Sequence, residues 1–321
     1  MFPPQSWFAS ECRRVHLKGK RMTRRDADRP PTFRGSDFAA RWEQSRWSEE
    51  RIQEAINASH EFVAIPYGRS GIGPDATDKE AVKEYWKKFV EVEGDWKRPD
   101  FLVVPASAHK ANAKKWEALG DTTIVADEEL RSILDCAICG VEGENSLWVA
   151  EQMPDFNSTL PLTKLKSLVA PTIWVKEEDR EPLQQWSKHF GIPIVVAQIF
   201  FDRGYVVELN TVLDDVSRIL AAQGADRTNL QKELGVLITE QSYPDARTGV
   251  PKVKTAYQAH HTRGVCFGIS IEKPHCVAKA KPERNGKIIP YVAFHGGRME
   301  ITKEALEFFR NLKKRQCCAE K

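Results

Sequence analysis

Three carboxylates carry the most chemistry in this chain of 321 residues. Asp100 follows Pro99 and opens the apolar run 101–104. Glu142 and Glu144 close a second apolar run, 137–144. Side chains two apart on a strand point to the same face, so Glu142 and Glu144 share one if this run is extended. If the two runs are neighbouring strands, Asp100 joins them and three acids converge on one small volume. Such a cluster repels itself unless a cation sits in it. Hard oxygen ligands of this kind select Mg²⁺, with Mn²⁺ as its substitute. A carboxylate-held Mg²⁺ suits the cutting of a phosphodiester.

Pro99-Asp100 followed by an apolar strand ending in Glu142-Gly143-Glu144 resembles the motif of the PD-(D/E)xK nucleases, in the variant with Glu at the Lys position. Glu144-Asn145-Ser146-Leu147-Trp148, Pro171-Thr172-Ile173-Trp174-Val175-Lys176-Glu177-Glu178-Asp179 and Gln198-Ile199-Phe200-Phe201-Asp202 resemble segments of AccI-like type II restriction endonucleases, over roughly residues 60–210. The resemblance implies an α/β fold with a restriction-endonuclease-like mixed central sheet flanked by helices. It also implies a Mg²⁺-dependent homodimer that cuts double-stranded DNA at a specific short site, with no nucleotide cofactor and a cytoplasmic location. Asp100 and Glu142 are then metal ligands, together with the Gly143 carbonyl. Glu144 binds metal or orients and deprotonates the attacking water. A further acid from a preceding helix, Glu80 or Glu84, is a weaker expectation. A repair nuclease of the same fold, or a DNA-binding protein whose acidic pair is structural, stays open.

DNA contact needs cations and base-reading side chains. The segment 247–263 offers Lys252, Lys254, Gln258, His260, His261 and Arg263 around a turn-prone Gly249-Val250-Pro251. Arg and Lys suit guanine, and Gln suits adenine. Arg69 and Ser70, in the glycine-rich stretch 66–74, are further candidates, and that stretch lacks the Lys-Ser/Thr of a nucleotide-binding P-loop. Lys176 ends the run 172–175; it either contacts the scissile phosphate or pairs with Glu177 or Asp179.

The composition is that of a water-soluble globular chain, 41% hydrophobic and 29% charged. No apolar run has the length of a membrane span. Seven cysteines, an odd number, fit a reducing compartment better than a disulfide framework. Cys136 and Cys139 form a C-x-x-C, but no second pair at ligand spacing follows, which favours buried thiols over zinc. The net charge is only +3, yet it is unevenly spread. Residues 1–36 hold nine Lys/Arg against three Asp/Glu, and residues 241–298 hold ten against three. Basic surface beside an acidic cluster suits an enzyme acting on a polyanion.

Residues 1–36 read as a basic flexible arm, with Met22 as a second candidate start. Periodicity predicts helices at 38–60, 77–92, 108–119, 128–134, 160–168, 181–190, 212–223 and 303–313. Strands are expected at 101–104, 122–125, 137–144, 147–150, 172–175, 192–200, 234–239, 265–271 and 288–294. The alternation predicts a nuclease core over 37–210. Residues 211–321 are expected to be a C-terminal α+β subdomain packed on it, carrying DNA recognition.

Overall fold

The computed structural model describes residues 36–69, 79–92, 96–157, 169–244, 250–282 and 288–319. Residues 1–35 of the basic arm, residues 70–74 of the glycine-rich stretch, Ser70 included, and the expected helix 160–168 lie outside them. No described helix is long and apolar enough to cross a membrane.

Two runs pair as neighbours, as the acids require. Strand β2 (Phe101–Pro105) runs antiparallel between β1 (Phe62–Pro66) and β3 (Cys139–Asn145), with Phe101 opposite Val141. Strand β5 (Ile194–Ile199) lies parallel to β3, placing Gln198 beside Glu144. Strands β6 (Arg203–Glu208), β9 (Val265–Ser270) and β12 (Met299–Ile301) extend the same sheet, which is therefore mixed and seven-stranded, in the order β1-β2-β3-β5-β6-β9-β12.

Alternation gives this sheet two apolar faces. Phe101, Val103, Val141, Val195 and Ala197 pack with Trp47, Ile52 and Ile56 of helix α1 (Ser36–Ala58) and with Phe309 and Leu312 of a C-terminal helix (Lys303–Ala319). Leu102, Val104, Ile194 and Val196 face the other way. They meet Leu183 and Trp186 of the helix Glu177–Phe190 and the apolar stripe of the helix Leu209–Ala221. The first of these two helices leaves strand β4 (Thr172–Lys176) directly and stops at Gly191, whose φ of 68° suits the left-handed cap that glycine provides.

The expected strand 172–175 exists, but not in the main sheet. It is β4, the edge of a three-stranded sheet with β8 (Pro251–His260) and β7 (Val236–Pro244). Most of the basic segment 247–263, where no strand was expected, is thus strand, from Pro251 to His260. The boundary expected at residue 210 is crossed by both sheets, because β9 and β12 complete the large one while β7 and β8 pair with β4. A separate ribbon of β10 (His275–Pro282) and β11 (Ile288–His295) lies against α1. The expected strand 122–125 is a 3-10 turn, because the Asp121 side chain captures the Thr123 N–H at 3.1 Å and caps it. The expected strand 147–150 is bent chain, its end held by the Asp202 carboxylate accepting from Ala150 N–H at 2.6 Å.

Candidate active site

The segment from Lys97 to Asp100 enters β2 under tight constraint. Arg98 is fully buried, ion-paired to Asp127 at 2.7 Å and stacked 4.7 Å over the Tyr67 ring. The Tyr67 hydroxyl donates to Asp127 at 2.6 Å and accepts from Trp186 Nε1 at 2.9 Å. Trp186 belongs to the helix that follows β4, so this buried network ties that helix to the strand carrying Asp100. Gly68 and Gly140 close on the same segment. A Cβ at Gly68 would lie 2.6 Å from the Pro99 carbonyl oxygen, and one at Gly140 would lie 2.5 Å from Pro99 Cγ. Only glycine allows the chain so near.

Register continues the antiparallel pairing of Phe101 with Val141, so Asp100 stands across from Glu142. The Asp100 Oδ2 accepts the Gly143 N–H at 2.7 Å. Glu142 and Glu144 share a face of β3, and the helix after β4 brings Asp179 to them. Carboxylate oxygens of Glu142, Glu144 and Asp179 all lie within 4.8 Å of one another. The trio that could hold a cation thus contains Asp179, which the sequence motif does not name. Asp100 flanks it through the Gly143 peptide.

Two lysines reach into the cluster. Lys97 Nζ lies 2.5 Å from Glu142 Oε1 and 3.0 Å from Asp179 Oδ1. Lys176 Nζ lies 2.6 Å from Glu144 Oε1. Lys176 donates its side-chain hydrogen bond to Glu144 and not to Glu177 or Asp179, the carboxylates expected as the alternative to a phosphate. Burial holds Asp100 well above the usual carboxylate range, and Glu142 and Glu49 add to the rise. Burial also pushes Glu142 up to about 7, against the pull of Lys97. Burial works against the Lys97 ammonium, yet Glu142, Asp179 and Asp100 together raise its pKa well above the ordinary value. Asp179 is lowered despite its burial, because Lys97 and Lys176 stand beside it.

The donor set fits a hard divalent cation. It is three carboxylates, with Lys97 between Glu142 and Asp179 and Lys176 on Glu144. Glu142 is 5% exposed, and its Oε2 is buried with no hydrogen-bond partner among the described residues. A buried, partnerless carboxylate oxygen is costly unless something else meets it.

Other expected site residues fall elsewhere. Glu80 and Glu84 are exposed and ion-paired to Lys83 and Lys88 on their own helix, so neither supplies the extra acid. Buried Glu49 of α1 stands near Asp100 instead. Arg69 lies over the rings of Trp86 and Phe89, at 4.6 and 4.9 Å. Lys252 and Lys254 are exposed on β8. His260, His261 and Arg263 are not with them. His260 is buried, with its Nδ1 2.8 Å from Thr262 Oγ1. His261 stacks on Phe156, and burial, helped by His260 and Arg203, pushes its pKa down to about 4. Arg263 donates to buried Asp215. His260 and His261 thus pack at the root of the small sheet, while Arg263 is exposed and paired with Asp215. Cys139 of the C-x-x-C is core, packed among the apolar side chains under α1.

A family model described as AccI restriction endonuclease matches residues 15–158. Over those residues the chain is similar to the AccI restriction endonucleases. The match begins before the expected residue 60 and stops short of 210. It contains Asp100, Glu142 and Glu144 but not Lys176 or Asp179. No curated protein and no solved structure matches the chain. The large mixed sheet flanked by helices agrees with the restriction-endonuclease-like fold of the PD-(D/E)xK class.

Two signals missed in the sequence are clear in retrospect. Lys97 lies three residues before Asp100, on the chain that must turn into the site. Asp179 sits in the first turn of a helix that starts where β4 ends, so its place depends on how that helix docks.

Proposed function

We propose that the chain is a type II restriction endonuclease, hydrolysing double-stranded DNA at a specific short site with Mg²⁺ and acting as a homodimer. The observation that carries this reading is the convergence of Glu142, Glu144 and Asp179, with Glu142 Oε2 buried and unmet. These three carboxylates would hold Mg²⁺, or Mn²⁺ in its place, with the Gly143 carbonyl as a further ligand. When bound, the ion supplies an acidified water and positive charge at the phosphate. Asp100 fixes the Gly143 peptide through its N–H, which sets the direction of the carbonyl beyond it. Glu144 takes the proton of the attacking water. Lys176, already at Glu144, meets a non-bridging phosphate oxygen and offsets the charge that grows there. The new P–O bond forms as the P–O3′ bond breaks, leaving a 5′-phosphate and a 3′-oxygen that takes a proton from solvent water to become the 3′-hydroxyl.

A two-fold dimer presents the same site to both strands of a palindrome. Unmethylated phage DNA incubated with the protein and Mg²⁺ tests the reading. Discrete fragments, abolished by EDTA, are expected. A smear would point to a repair or non-specific nuclease of the same fold. Specific binding with no cutting in Mg²⁺ or Mn²⁺ would point to a non-catalytic DNA-binding protein.

A further inference from the structure

The small sheet has two faces of opposite character. Ile173, Val175, Tyr257, Ala259 and Val236 fill the core. The residues between them point the other way. Trp174 pairs with Gln258 and Lys176 with Ala256, while Thr239 stands across from Ala256 and Gln241 from Lys254. Trp174, Lys176, Gln258, Thr239, Gln241 and Lys254 therefore line one outward face. At its edge Lys176 touches Glu144, so this face runs without interruption into the carboxylate cluster.

Trp174 is 42% exposed, an unusual place for a tryptophan. Its ring is held in place. Nε1 donates to Thr172 Oγ1 at 2.9 Å, and the Trp174 backbone N–H donates to Oε1 of Gln198, the neighbour of Glu144 in the main sheet. With its donor spent, the indole offers a flat apolar surface. Gln258 Nε2 donates to Thr239 Oγ1 at 3.1 Å, which aligns the amide and leaves a second amide hydrogen and the carbonyl oxygen for a base edge. Glutamine presents adenine with that donor and acceptor pair.

We propose that this outward face of the small sheet is where duplex DNA lies beside the cut phosphate, with Gln258 reading a base edge and Trp174 packing against the neighbouring base. The occupant is fixed by continuity with the cluster and by the lysines Lys176, Lys252 and Lys254 along the same face. The inference rests on the nuclease reading above. Trp174 lies two residues from Lys176, about 7 Å along the strand. Base-pair steps of about 3.4 Å then put the residues read by this face within roughly two base pairs of the cut.

The test is cleavage of a randomised duplex pool in Mg²⁺, with the fragment ends sequenced, by the wild-type protein and the variants Gln258→Ala and Trp174→Ala. Gln258→Ala should relax the preference at one base pair, within about two steps of the cut, by on the order of ten- to a hundred-fold. Trp174→Ala should weaken binding to the specific duplex more than to a scrambled one. End sequences and affinity ratios unchanged in both variants would overturn the proposal while leaving the nuclease reading intact. A wild-type protein that leaves the pool uncut in Mg²⁺ and Mn²⁺ overturns both. Oxidative footprinting of the wild-type protein needs no folded variant. With Ca²⁺ and the specific duplex, Trp174 should be protected from oxidation, and equal oxidation with and without DNA would overturn the proposal.

Discussion

Replacing Glu142 by glutamine should make the metal-free protein more stable above neutral pH. The carboxyl is 5% exposed, and burial raises it from an ordinary 4.5 to about 7. An acid raised on folding binds its proton more tightly in the folded state. The cost is absent below about pH 4.5, grows as pH rises, and is complete above about 7. At 1.36 kcal/mol per pH unit that rise corresponds to ~3 kcal/mol, most of which falls between pH 5 and pH 8. The amide cannot ionise, so the variant escapes that loss. Asp100 moves in the same direction, since Glu142 contributes to its rise. Thermal melts of both proteins at pH 5 and pH 8 in EDTA isolate the term as a difference of differences. For a chain of this size the gap should be several degrees, at roughly 2–4 °C per kcal/mol. Mg²⁺ at about a thousand times its Kd should reverse the order at pH 8, stabilising the wild-type protein by about 4 kcal/mol and the variant far less. Parallel pH slopes for the two proteins would refute the argument that this carboxylate is buried for metal.

Asp100→Ala should lose cleavage while keeping specific DNA binding in Ca²⁺, measured by gel shift, because it frees the Gly143 peptide without touching the DNA-facing sheet. Gly140→Ala sets a methyl 2.5 Å from Pro99 Cγ and should cost about 1–3 kcal/mol in urea unfolding. Adding Pro99→Ala should recover much of that stability, a non-additivity that a clash requires. Lys252→Ala should lower the salt slope of DNA binding by about one unit if the lysine meets a phosphate.

The carboxylates of β3 and the strand before them were legible because period-two spacing and apolar flanks are local signals. Their pairing was an inference from neighbouring strands, and the register of Phe101 with Val141 satisfies it. Asp179 was not legible as a ligand. Three acids at a helix start normally serve the helix dipole, and what singles this one out is the docking of its helix through Trp186, Tyr67 and Arg98, a contact across more than a hundred residues. The position of β4 was misjudged for a related reason. An apolar strand followed by a helix reads as one more strand of a doubly covered sheet, yet β4 prefers β8, whose lysine-rich beginning disguised it as loop. Arg263 and the two histidines read as basic surface because charge alone does not reveal a buried partner such as Asp215. Glu49 went unnoticed among the polar residues of α1 for the same reason.

The central claim is that Glu142, Glu144 and Asp179 hold the ion that cuts DNA, and Asp179 tests it best because no motif names it. Cleavage by Asp179→Asn should be measured on the wild-type substrate across a Mg²⁺ titration. Removing one carboxylate ligand should raise the Mg²⁺ needed for half-maximal rate by on the order of ten- to a hundred-fold, or abolish cleavage, with specific DNA binding retained. An unchanged Mg²⁺ dependence and rate would contradict the account.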